Sequence, residues 1–331
     1  MLDFEGAENS DLPRISIGKS ITFVATLSIL NTKLIISIFI VAIIWGTTFL
    51  GIKIGVETIP PWFVAGFRQL IAGLIMLPVL VFSKQLKWIG WANLRTQLFV
   101  SLCIFVGANG LTTVAEQHLT SSLTALLSAL SPVFIFIGSL MIGIEKFSGK
   151  VISGIVLGIG GVVCIFWDGI KELANPDYLG GILTLILGLI SWAIGVLYFK
   201  KKTSNVHSLF LNLFYQFIFA GLAQIILGFL SGEKIHLGSW SYRSISAVLY
   251  LAVFGSVITY FAYYYLLEKL RPIQVSMLTY INTIISIFLG WLVLNEAISA
   301  QFLLATLLII SGVFVMNYRP GIFQRKKISN N

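Results

Sequence analysis

Arg68, in "AGFRQLIAGL", is the one basic residue placed well inside an apolar run rather than at its edge. A guanidinium presents a planar fork of donors that matches a carboxylate. Ionisable groups are costly within a bilayer and mostly face a cavity. Arg68 therefore reads as a contact for an anionic substrate group or for a gate. Two structural alternatives stand beside that reading: a side chain snorkelling to the outer face, or a bond to carbonyls of a neighbouring helix.

Other residues could share such a cavity. Trp45 and Trp192 lie in the middle of their apolar runs, too deep to be interfacial anchors, and either line a cavity or pack. In "ITYFAYYYLL", Tyr260, Tyr263 and Tyr264 share one helical face at i, i+3 and i+4, which is either an aromatic grip or a core stripe. Asn109, Ser131 and Asn282 are polar groups that need partners inside a membrane, and a wet cavity supplies them. Glu116 is near the outer end of the third run and is the one candidate for a proton relay. Facilitated diffusion and exchange remain open beside proton coupling.

Metal and cofactor chemistry find no support in these residues. His118, His207 and His236 are far apart, and Cys103 and Cys164 lie in separate apolar runs without a CxxC. No HExxH or core carboxylate pair is present for an intramembrane enzyme. A sensor would account for many spans but not for the repeat described below.

The elements that must hold these residues follow from composition. The chain is 57% hydrophobic and 11% charged, with a mean hydropathy of +0.94. Soluble domains carry about 25% charged residues, so this is an integral membrane protein. About 20 apolar residues cross a bilayer as a helix. That rule predicts ten spans near 34–54, 62–83, 97–116, 121–144, 149–167, 179–199, 208–230, 244–267, 272–294 and 299–317. All but five of the lysines and arginines then fall on one side. The exceptions are Lys53, Lys171, Lys234 and Arg243 on the opposite side and Arg68 within a span. The positive-inside rule puts both termini in the cytoplasm, and this accounts for the net charge of +9 without nucleic acid. The N-terminus opens with Asp3, Glu5, Glu8 and Asp11, unlike the basic start of a signal peptide. Residues 15–30 read as an interfacial segment rather than an extra span.

The chain also repeats itself. "MIGIEKFSGKV" (141–151) and "LVLNEAISAQF" both stop an apolar run with ExxS: Glu145 and Ser148, then Glu296 and Ser299. At that offset of 151, Gly161 meets Gly312, Leu119 meets Leu270, Asn109 meets Tyr260 and Ser131 meets Asn282. At an offset of 147, Trp45 meets Trp192, Lys53 meets Lys200 and Gln69 meets Gln216. The partner of Arg68 is Tyr215, so its charge is not duplicated. Each half holds five spans, an odd number, so the second half is inserted upside down. Inverted repeats are a signature of transporters. Glu145 then belongs to the cytoplasmic face and Glu296 to the outer face. Each ExxS is either a tight helix–helix corner, its carboxylate and serine turned to the next helix's free amides, or a gate whose ion pairs differ between states. Gly154 and Gly158 form a GxxxG that serves packing within the chain or a weak homodimer.

The segments "WGTTFLGIK", "FRQLIAGL", "LTSSLTALLSALSPVF", "GIEKFSGKVISGIVLGIGGVV" and "LNEAISAQFLLATLLIISGVF" resemble, in this order, the EamA-type family of the drug/metabolite transporter superfamily. The resemblance covers about residues 34–317. It implies an all-α polytopic membrane protein of ten transmembrane helices, arranged as two inverted five-helix repeats around a central cavity. It implies movement of a small metabolite, often export of amino acids or related compounds, across the inner membrane. Nucleotide-sugar exchange, known in related members, calls for several buried cations, and only Arg68 is available. The expected organisation is a cytoplasmic or interfacial segment (1–33), a first repeat (34–167), an external linker (168–178), a second repeat (179–317) and a basic tail (318–331). One departure is Pro132 of "LSPVF", which meets Thr283 in "INTIIS". A proline bends the fourth helix, whereas the ninth has none at that point.

Overall fold

The computed structural model describes the backbone of residues 17–119, 121–165, 167, 178–202, 208–285 and 300–317. Glu296 and Ser299, the end of the ninth span, nearly all of the linker and the basic tail lie outside the described residues. The chain divides into two compact units, residues 1–36 and 37–331. The first holds the beginning of helix α1 (Ile17–Gly55), whose membrane-length part is Thr32–Gly55.

All further elements belong to the second unit. They are α2 (Pro61–Phe82), α3 (Gly90–His118), α4 (Thr124–Met141), α5 (Gly149–Ile165), α6 (Leu179–Lys202), α7 (Leu209–Leu230), α8 (Tyr242–Lys269), α9 (from Pro272, described to 285) and α10 (Ala300–Asn317). No strand occurs among the described residues. In hydrocarbon every backbone polar group must be paired internally, and helices do this within one segment. Seven of these helices are long and apolar enough to span a membrane, and α5 and α10 contain shorter apolar stretches. Helix α3 starts at Gly90, ahead of the apolar run, because its first turns carry Asn93 and the exposed Arg95 and extend beyond it. Local signals set several starts. Pro61 and Pro272 open α2 and α9, where a missing N–H costs nothing. Ser208 and Ser241 cap α7 and α8 by accepting from Leu211 N (3.3 Å) and Ser244 N (3.0 Å).

The packing carries the repeat. Among the described residues the broadest helix contacts join α2 to α7 and α5 to α10, each helix meeting its own counterpart. Along α5, a Cβ on Gly154 would come 2.8 Å from the carbonyl of Gly312, and one on Gly161 would come 2.8 Å from that of Ala305. At the offset of 151, Gly154 pairs with Ala305 and Gly161 with Gly312, so exchanging the halves turns one contact into the other. The glycines of the GxxxG therefore serve packing inside the chain: Gly154 meets α10, and Gly158 lies against the ring of Tyr280.

Helices α3 and α8 share an irregularity. Each widens into π turns, at Leu102–Gly110 and at Leu251–Ile258. Such turns are rare and frequent at functional sites. Helix α4 breaks at residues 129–130, just before Pro132. Helix α9 breaks at Met277 without a proline, Tyr280 N donating to Met277 O at 3.1 Å. Both mouths thus contain an interrupted helix, and the missing proline does not straighten the second.

Candidate functional site: a cavity between the two halves

The Asn109 Nδ2 of α3 donates to the Tyr260 hydroxyl of α8. These residues are counterparts, so their bond lies on the axis relating the halves. Trp45 and Trp192, the other matched pair, also meet there, ring centroids 5.5 Å apart and edge to face. Tyr263 closes the group at 4.8 Å from Trp45 and 5.3 Å from Trp192.

Beside this group is a cavity of about 120 Å³. Trp45, Trp192, Tyr260 and Tyr263 supply its aromatic wall, and Arg68, Asn109, Ser131 and Asn282 supply polar groups. The Asn282 amide, oriented to satisfy its surroundings, donates to Ala42 O (3.1 Å) and Leu278 O (2.9 Å). Tyr264 is not on this wall. Its hydroxyl donates to Gln216 Oε1 at 2.7 Å, and its ring packs on Phe199 at 4.1 Å. It shares a face with Tyr260 by spacing, yet it points one turn further along that face, into the α6–α8 packing. Sequence reasoning missed Thr48, Thr112, Ser128, Ser276 and Thr279, which also line the cavity. A hydroxyl in an apolar helix carries little signal, because it can bond its own helix. Thr48 bonds Trp45 O (2.8 Å) and Ser276 bonds Ile273 O (2.9 Å).

Arg68 is the only charged residue on the cavity wall among the described residues. It is 3% exposed. Its Nε donates to Ser256 Oγ at 2.8 Å and its Nη2 to Gly255 O at 2.9 Å, both within the π turns of α8. Nη1 has no hydrogen-bond partner among the described residues. Arg68 thus braces a wide helical turn through Nε and Nη2 and lines the cavity. The π turns of α3 are braced in a comparable way. Ser191 Oγ donates to Cys103 O (2.9 Å) and Gln224 Nε2 to Phe105 O (2.7 Å).

At the ends of α3 and α8 the repeat shows its inversion. Lys53 Nζ donates to Glu116 O (2.7 Å) and Leu119 O (2.9 Å). Lys200 Nζ donates to Leu267 O (2.5 Å) and Leu270 O (3.1 Å), the counterparts of those two residues. Each lysine thus places a cation on the free carbonyls at a helix C-terminus, where the dipole favours it. Five membrane crossings separate the end of α1 from the end of α6, so the two clusters lie on opposite faces. The sequence paired the lysines but gave no sign of this role.

The corner residue Glu145 does not turn to the amides of α5. Its Oε2 accepts from Arg271 Nη1 at 2.9 Å, and its carboxylate is 7% exposed against 44% for the arginine side chain. This ties the α4–α5 corner to the α8–α9 turn. Ser148 lies just before α5, where its backbone carbonyl accepts from Ile152 N at 3.1 Å. Glu116 lies in the last turn of α3, 0% exposed.

The EamA-like transporter family matches residues 32–167 and again residues 179–318. The uncharacterized inner membrane transporter YedA of Escherichia coli (strain K12) is 30% identical over 293 residues, which cover 88% of this chain and 93% of YedA. The uncharacterized transporter YoaV of Bacillus subtilis (strain 168) is 25% identical, covering 89% of this chain and 99% of YoaV. The protein PagO of Salmonella typhimurium (strain LT2) is 29% identical, covering 83% and 90%. A solved crystal structure has the same fold, with a TM-score of 0.68 at 16% identity over 86% of this chain and 96% of that one.

Proposed function

Because the chain belongs to the EamA-like transporter family, and is therefore a multi-pass membrane transporter rather than an enzyme, we propose that it exports amino acids or closely related small carboxylates by alternating access. The cavity supports this reading. Its one cation among the described residues, Arg68, would offer Nη1 to a carboxylate, and a charge-assisted bond there would fix the substrate's orientation. The rings of Trp45, Trp192 and Tyr263 would take an ammonium group or an apolar side chain, while Asn282 and Ser131 supply polar atoms on the second-half and first-half sides. A volume of about 120 Å³ is small beside the ~300–1,000 Å³ of sites for drug-sized ligands. A nucleotide sugar needs more room and more cations than this wall has.

In this reading the membrane is the inner membrane, with both termini cytoplasmic by the distribution of basic residues. Lys53 and its carbonyls mark the outer face, and Lys200 and the Glu145–Arg271 pair mark the inner one. Glu145, Ser148, Glu296 and Ser299 are corner residues whose contacts change as the cavity opens to either side. The decisive observation is Arg68, braced by α8 and exposed to the cavity. The test compares metabolites in the medium of cells making the protein with those of cells making Arg68→Ala at matched membrane levels. An amino acid or small carboxylate enriched by the parent alone supports the reading. Equal export by the variant removes Arg68 from the site.

A further inference from the structure

Resting on that reading, we propose that Glu116 is a proton-binding site coupled to the cavity through Arg68, so that a carboxylate bound at Arg68 travels with a proton on Glu116. The starting point is an unusual carboxyl. Glu116 is 0% exposed, and neither of its oxygens has a hydrogen-bond partner among the described residues. Burial works against its charge, and two cations, Lys53 of α1 and Arg68 of α2, work for it. Neither spends an N–H on it. Both bonds of Lys53 go to main-chain carbonyls, one of them Glu116's own, and those of Arg68 go to α8.

An ionised carboxylate in such a place is supported only by the field of its neighbours. That field changes when Arg68 receives a second anion. A substrate carboxylate at Nη1 cancels much of the arginine's charge, and the cost of keeping Glu116 ionised rises. Glu116 then takes up a proton, its carboxylate becoming a neutral carboxylic acid, and gives the proton back when the substrate leaves. Among the described residues no other charged group acts on Glu116. Tyr260 of α8 interacts with Arg68. His118, on α3 itself, is exposed. Helices α4 and α6 also pack on this end of α3 and carry no titratable side chain within 121–141 or 179–197. The second half has no equivalent, since the counterpart of Glu116 is Leu267. Solute efflux down its own gradient would then carry protons out of the cell.

The test uses the full chain in liposomes loaded with a mixture of the twenty labelled amino acids and a trapped pH dye. On dilution, the parent should release label with alkalinisation of the interior. In Glu116→Gln the ratio of protons to label, measured on whatever flux remains, should fall to zero, and Glu116→Asp should restore it. A second measurement needs no flux. Adding the same mixture to purified protein in weakly buffered detergent should cause proton uptake by the parent and none by Glu116→Gln. Label release without proton movement in the parent, or unchanged proton movement in Glu116→Gln, overturns this inference and leaves the transport reading standing. No release of any amino acid by the parent overturns the amino-acid reading and this inference with it.

Discussion

Replacing Lys53 or Lys200 with methionine keeps most of the side-chain volume and removes the ammonium. Each change frees a matched pair of carbonyls, Glu116 O and Leu119 O in one half and Leu267 O and Leu270 O in the other, and the second also frees Glu268 O from a long bond of 3.4 Å. A hydrogen bond to a charged group contributes about 1.5–3 kcal/mol in soluble proteins. Within membranes side-chain bonds average about 0.6 kcal/mol and reach about 1.7, and a cation at a helix C-terminus adds about 0.3–1 kcal/mol. Both ammonium groups are only half-buried, so the lower range applies. Together these give a loss of about 2 kcal/mol at each site, roughly a thirtyfold shift towards the unfolded state. Reversible unfolding of purified protein in lipid bicelles measures it. Two similar losses fit a pair of equivalent caps on opposite faces. Losses below about 0.5 kcal/mol at both sites would mean that water serves those carbonyls equally well, and a loss at one site alone would break their equivalence.

Two further outcomes follow from single positions. Gly158→Ala should destabilise by about 1–3 kcal/mol, the cost of overpacking, because its Cβ would come 2.3 Å from the Tyr280 ring, whereas Gly160→Ala meets nothing within 4 Å and should be neutral or stabilising in thermal unfolding. Glu233, in the α7–α8 loop, accepts from Trp62 N at 3.3 Å at the start of α2, and burial pushes its carboxyl above the ordinary glutamate value of 4.5 despite the bonds from Trp62 and Phe63 amides. Its folded form favours the proton, so its contribution to stability is complete below about pH 4 and is lost as pH rises through the raised value. Glu233→Gln should flatten that part of the stability-versus-pH curve, and an unchanged curve would contradict the assignment.

The legible parts of this protein are those that depend on period and length. Apolar runs near 20 residues announce the spans because lipid leaves a chain few alternatives. Fixed offsets paired Asn109 with Tyr260 and Trp45 with Trp192 before their contacts were visible, since an inverted repeat brings counterparts together on its axis. The rest depends on where a side chain turns. Tyr264 shares its spacing with Tyr260 but is drawn to Gln216. Glu145 finds Arg271 across 126 residues, at neither repeat offset. The π turns have no compositional mark, and the small hydroxyls of the cavity wall look like any that bond their own helix.

Alternating access around the cavity is the central claim, and Ser128 offers the most direct test of it. This residue lines the cavity next to the break in α4 and is 7% exposed. With Cys103 and Cys164 replaced by alanine, Ser128→Cys is treated with a membrane-impermeant maleimide, once in right-side-out vesicles and once in inside-out vesicles. The account predicts labelling from both sides, because the same wall faces each compartment in turn. Labelling from one side only, in protein that still transports, would contradict it.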